Sequence, residues 1–130
     1  MFDDLPSRDI TSAADITAAT GAERTTAPAA IDRAHLRRYT YGSADLETEI
    51  LELFCGQSRT LLDQLKQATD ADAWAFASHS IKGSARAVGA WRVAELAERA
   101  ERIGVHEPES RTAIAELEGA LTLAVRDARA

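Results

Sequence analysis

Ser78-His79-Ser80-Ile81-Lys82-Gly83-Ser84-Ala85-Arg86-Ala87-Val88-Gly89-Ala90 is the stretch on which the reading of this chain turns. An α-helix advances by about 100° per residue. On that wheel Trp74, Ala77, Ser78, Ile81, Ala85 and Val88 gather on one face, which is the core face of a helix spanning about 71–88. Gly89 is a natural C-terminal stop. His79 lies two residues before Ile81, so it points nearly the opposite way, toward solvent. Ala75, Phe76, Gly83 and Arg86 share that outward side, with Lys82 on its flank. A helix that shows water a lone imidazole, two cations, several small residues and a phenyl ring is not built for packing alone.

Working outward, the same period continues on both sides. Upstream, Thr69-Asp70 breaks and recaps the chain. Leu46, Ile50, Leu53, Phe54, Leu61, Leu62 and Leu65 recur at helical spacing to about residue 68, with Ser43 as N-cap. A short helix over 31–39 ends around Gly42. Downstream, Val93, Leu96, Ala97, Ala100 and Ile103 form one stripe of a helix over 91–103 that Gly104 ends. Glu107-Pro108 opens a last helix, Pro being tolerated in a first turn. Its seam is Ile114, Leu117, Leu121 and Val125. Four amphipathic helices joined by short loops predict an all-α domain over residues 31–130, an antiparallel up-down four-helix bundle with a short additional N-terminal helix. The alternative is a helical hairpin pair that completes its core by dimerising. Residues 1–30, rich in Ala, Thr, Ser and Asp with Pro6, Gly21 and Pro28, read as a flexible leader or linker, with room for a short helix within 10–17.

Composition narrows the function. The 130 residues are 45% hydrophobic, enough for a core, but only 5% aromatic, which with abundant Ala and Leu favours helices. A net charge of −6 argues against nucleic acid, whose phosphates require a positive field. The single Cys55 forms no intramolecular disulfide and reads as a small buried hydrophobe. His35, His79 and His106 are far apart, and no CxxC or HxxxH pair is present, so no metal site is expected. No apolar run approaches the roughly 20 residues of a membrane span, and Asp3 and Asp4 stand where a signal peptide would be basic. The expected compartment is the cytoplasm. No glycine-rich nucleotide loop is present, so the chain is not expected to be a kinase by itself.

The outward face of the 71–88 helix suits phosphoryl transfer. The nucleophile must be a neutral imidazole nitrogen, and a histidine of ordinary pKa, about 6.5, is mostly neutral near pH 7. Lys82 at i+3 is a surface neighbour able to screen phosphoryl oxygens, and Arg86 at i+7 adds to that field. Gly83 at i+4 either leaves room for a partner to close on the ring or lets two helices cross closely. Phe76 either covers a helix seam or belongs to a docking patch. His35 and His106 read as surface residues, Trp74 as structural, and Trp91 as either. Glu95, Glu98, Arg99, Glu101 and Arg102 have the pattern of a solvated helix face.

His79-Ser80-Ile81-Lys82-Gly83-Ser84, followed by Val88-Gly89-Ala90, resembles the H-x-[hydrophobic]-K-G-[small] signature of histidine-containing phosphotransfer (HPt) domains, over roughly residues 43–104. The resemblance implies that His79 is the phosphoryl acceptor, that Lys82 lies near the phosphoryl group, and that Gly83 admits a receiver domain. It also implies that Glu101 accepts a hydrogen bond from the imidazole Nδ1–H, leaving Nε2 to attack. Ala75, Phe76, Ser84 and Arg86 would border the docking surface. The implied partners are response-regulator receiver domains and a hybrid sensor kinase. The receiver supplies its own Mg²⁺, so no intrinsic cofactor is expected. The chain would be a phosphoryl carrier rather than a stand-alone kinase, and a monomer. The competing reading is a non-catalytic helical adaptor that binds and inhibits a receiver domain or sensor kinase.

Overall fold

The computed structural model describes residues 29–130, so the expected leader up to residue 28, and the short helix within 10–17, lie outside the described residues. Five helices follow one another: α1 (Arg33–Tyr39), α2 (Ala44–Gln67), α3 (Ala71–Val88), α4 (Trp91–Ile103) and α5 (Ser110–Ala128). No strand occurs among the described residues.

Three of the starts are written in side-chain oxygens. Asp32, Ser43 and Asp70 each accept from the backbone amide three residues on, at His35, Leu46 and Ala73. An N-cap of this kind satisfies an amide that the helix itself leaves unpaired, worth about 1 kcal/mol. Two expected boundaries move. α1 begins at Arg33 rather than residue 31 because Asp32 is its cap. Ile31 instead drops into the core, 1% exposed, and its amide donates to Asp127 Oδ2 at 2.7 Å. α5 begins at Ser110 rather than at Glu107-Pro108. The Ser110 hydroxyl closes the preceding turn, donating to the Gly104 carbonyl at 2.7 Å and accepting from the Glu107 amide at 2.9 Å.

Helices α2 to α5 each touch their neighbour in sequence, and α5 returns to touch α2; α1 rests on α3. Every helix contributes to one cluster of buried apolar residues, with Leu36, Phe54, Leu65, Ile81, Val88, Val93 and Leu117 among the most enclosed. A hairpin pair with an unfinished core is therefore not what forms. Cys55 is buried, as its apolar neighbourhood predicts. Leu46 and Leu53 are not: they lie on the apolar seam by spacing, yet both face water. No helix of the described residues is long and apolar enough to cross a membrane.

α1 is clasped to the junction of α3 and α4. The Asp32 amide donates to the Gly89 carbonyl at 3.0 Å, and Asp32 Oδ2 accepts from the Trp91 indole at 3.0 Å. The Trp91 hydrogen bond first, and the His35 amide second, hold the Asp32 carboxyl below its ordinary range. A depressed carboxyl favours the folded state above its unfolded pKa, so this contribution fades as pH falls through the ordinary carboxylate range. His35 is not the idle surface residue its position suggests. Its Nε2 lies 3.0 Å from the Arg86 carbonyl, and its ring meets Trp91 edge-on at 4.8 Å. His106 is exposed, with Nε2 2.7 Å from the Thr69 carbonyl, tying two inter-helix connections together.

Candidate functional site

The site begins with the α3–α4 register. The Trp74 indole, 3% exposed, donates to the Ala100 carbonyl at 2.7 Å. This single buried hydrogen bond joins the first turn of α3 to the last turn of α4. Ala77, Ala85, Ala97 and Ala100 are fully buried, and side chains that short permit close helix packing. Ser78, also fully buried, satisfies its hydroxyl on the Trp74 carbonyl at 2.8 Å. The residue before the histidine is thus anchored inward, and the histidine is turned out.

His79 has a side chain 68% exposed, with Nδ1 3.6 Å from Glu101 Oε2. That is ion-pair range and longer than a hydrogen bond. The other oxygen of the same carboxylate accepts from Lys82 Nζ at 3.1 Å. Glu101 therefore stands between the imidazole and the ammonium, one oxygen toward each. The two cationic neighbours differ in what they can reach. The Lys82 side chain lies along the α3–α4 seam, only 15% exposed. Arg86 is about 10 Å from His79 along the helix axis, at about 1.5 Å per residue, and faces Glu98 Oε1 at 3.6 Å. The structure brings Glu101 to His79, holds Lys82 on the same carboxylate, and gives Arg86 to another carboxylate.

Gly83 is exposed, and a Cβ built there meets nothing within 4 Å. No helix crosses at this point, so close helix packing does not account for Gly83, and the space above it is open. Ala75 is exposed, and Phe76 is 63% exposed one turn before the imidazole. Ser84 is half-buried on the opposite flank, where with Ser80 it lines a shallow groove between α3 and α2. The α2 wall of that groove carries Leu53, 55% exposed, with Gln57 and Leu61. The recurrence of apolar residues assigns Leu53 to the core stripe. The signal against that assignment is the wheel itself: Leu53 lies nine residues before the buried Leu62, about half a turn away at about 100° per residue.

The grooves between α4 and α5 and between α2 and α5 are not lined by His79 either. Among the described residues no group of three or more His, Cys, Asp or Glu side chains is placed to hold a metal ion. An imidazole this exposed on a helix face is open to a group presented by another macromolecule.

A family model described as Hpt domain matches residues 49–130, which extends through α5 and beyond the motif region. Searches of curated proteins and of solved structures return no match.

Proposed function

The chain belongs to the Hpt domain family, and on that premise we propose that His79 accepts a phosphoryl group from the aspartate of one receiver domain and passes it to another. The observation that carries this is the exposed His79 ring with Nδ1 turned to Glu101, which leaves Nε2 facing outward. In the forward step the Nε2 lone pair attacks phosphorus. The bond from phosphorus to the aspartyl oxygen breaks, and its electron pair stays on the leaving carboxylate. The ring keeps its Nδ1 proton toward Glu101, and Lys82 is within reach to screen the transferred oxygens. Mg²⁺ would come from the receiver, with no cofactor held by this chain.

The docking face on this reading is the outward side of α3, with Phe76, Ala75 and Gly83 around the histidine and Arg86 and Ser84 at its border. The short connections at 68–70, 89–90 and 104–109 support an antiparallel up-down course for α2 to α5. We further infer that the carrier acts as a monomer in the cytoplasm, where receivers and hybrid sensor kinases present their phosphorylated domains.

The test is labelling from a phosphorylated receiver, followed by mapping of the modified residue. A phosphoryl group on His79 that is acid-labile, alkali-stable and removable by a second receiver supports the carrier. Failure of a folded protein to take label from a broad panel of receivers would end this reading.

Gly83 supplies a second check. Gly83→Ala should stabilise the fold by about 1 kcal/mol, the cost of a mid-helix glycine relative to alanine. Gly83→Leu should keep the fold, since the space is open, yet slow transfer by about a hundredfold, because a misplacement of about 1 Å at the reacting centre costs that much. A leucine variant that transfers at the normal rate would remove docking over Gly83 from the picture.

A further inference from the structure

Glu101 makes two contacts at once, and they are unequal. Its pair with Lys82 is short, 3.1 Å, with the lysine side chain 15% exposed. Its approach to His79 is longer, 3.6 Å, and the ring is 68% exposed. Screening by water weakens the exposed contact more than the half-covered one. In the resting protein, then, the carboxylate belongs chiefly to Lys82, and the ammonium is already committed before any phosphoryl group arrives.

We propose that Glu101 holds Lys82 in reserve and competes with the phosphorylated His79 for it, which keeps the carrier a weak store and a ready donor. The proposal rests on the reading of His79 as a phosphoryl carrier. The charges give its direction. Carboxylate and ammonium together are neutral beside an uncharged ring. The phosphoryl oxygens carry roughly −1.5 to −2, offset by one positive charge on a ring that keeps its Nδ1 proton, so the site gains a net charge of about −1 next to a carboxylate that is already negative and already holds Lys82. For Lys82 to serve the phosphoryl oxygens it must give up Glu101. A neutral amide of the same shape would neither repel the phosphoryl group nor hold the ammonium as tightly. Attraction between Glu101 and a ring charged during transfer works the other way. It acts through the longer, more solvated contact, so the lysine competition prevails.

The experiment measures the equilibrium ratio of phosphorylated carrier to phosphorylated receiver. It uses the full chain, one receiver domain and four proteins: the natural chain, Glu101→Gln, Lys82→Met and the double variant. Methionine keeps the half-buried stem of Lys82 without its charge. Melting curves check that each protein is folded. Glu101→Gln should raise the carrier's share about threefold, in the range of partly exposed charge pairs. Lys82→Met should lower the share about twofold in the natural background and about fivefold in the Glu101→Gln background, because only there is the ammonium free to serve the phosphoryl group. A merely structural pair would show its coupling in the melting curves, whereas the competition puts it in the phosphorylation ratio, with this sign, at unchanged stability. A ratio for Glu101→Gln that is unchanged or lower, or a Lys82→Met effect equal in both backgrounds, overturns the competition while leaving the carrier intact. Absence of label on His79 in the natural chain would overturn both.

Discussion

His79→Gln is expected to abolish phosphoryl uptake completely and to leave the thermal midpoint within about 3 °C of the natural protein. Both halves follow from one geometry. The imidazole is 68% exposed, and its nearest charged neighbour stands 3.6 Å away, so little folding energy depends on it. Substitutions at such positions change stability by about 0.5 kcal/mol or less, a few degrees at most for a domain of this size. Glutamine has the length to face Glu101 but offers no nitrogen lone pair able to displace an acyl phosphate. Its amide electrons are delocalised into the carbonyl. The measurement is receiver-dependent labelling beside a calorimetric melt. It also separates the carrier from an inhibitory adaptor, which would use the same exposed Phe76 and Leu53. An adaptor with the His79→Gln substitution would still bind and restrain its target, whereas a carrier with the same substitution would bind and leave the relay broken. Residual label on the substituted protein would mean that the acceptor is another residue.

The parts of this site that a helical period can reach were legible in the chain, and the parts that depend on register between helices were not. The outward direction of His79 follows from Ile81 two residues on, and the end of α3 follows from Gly89. Those are local facts. Glu101 was reachable only through the family resemblance, because on its own helix it looks like one solvated carboxylate among several. What places it is the Trp74 indole on the Ala100 carbonyl, a contact across 26 residues that no spacing rule contains. The same holds for Arg86. At i+7 it belongs to the phosphoryl field by helix geometry alone, but Glu98 stands opposite and takes it. His35 is a similar case. Its ring joins the Arg86 carbonyl 51 residues away, and an isolated short helix gives no hint of that. Leu53 shows the reverse error: it is apolar and close to the stripe in sequence, but at about 100° per residue it points away from the face that Leu51, Phe54, Cys55, Ser58, Leu62 and Leu65 bury. The α5 start moved because a serine hydroxyl closed a turn that proline chemistry alone would have made the first turn of a helix.

Gly89→Ala is expected to destabilise the fold by about 2–5 kcal/mol, and it should do so without changing transfer per folded molecule. Two costs add. Gly89 ends α3 at φ +77° and ψ 26°, the left-handed conformation that costs an alanine roughly 1–2 kcal/mol. A Cβ there would also fall 2.8 Å from the Asp32 Cβ and 2.9 Å from the Asp32 carbonyl oxygen. The obstacle is partly backbone, so it cannot swing aside as the end of a flexible side chain would. Relief requires moving Asp32, which breaks the bond to the Trp91 indole and loosens the α1 cap. Overpacking of this kind typically adds about 1–3 kcal/mol. Gly89→Asn separates the two contributions. Asparagine tolerates the left-handed region better than alanine does, but its Cβ meets Asp32 all the same. If conformation alone were at stake, the asparagine variant would be nearly neutral in urea unfolding. If the clash matters, both variants lose stability and both lose the clasp of α1. The transfer site should not notice. His79 lies about 15 Å from Gly89 along α3, ten residues at about 1.5 Å each. The Trp74–Ala100 bond that sets its partner Glu101 is further still from the clasp. Label per folded molecule that falls in step with stability would show that α1 supports the site as well as the bundle, and that the two ends of α3 are not independent.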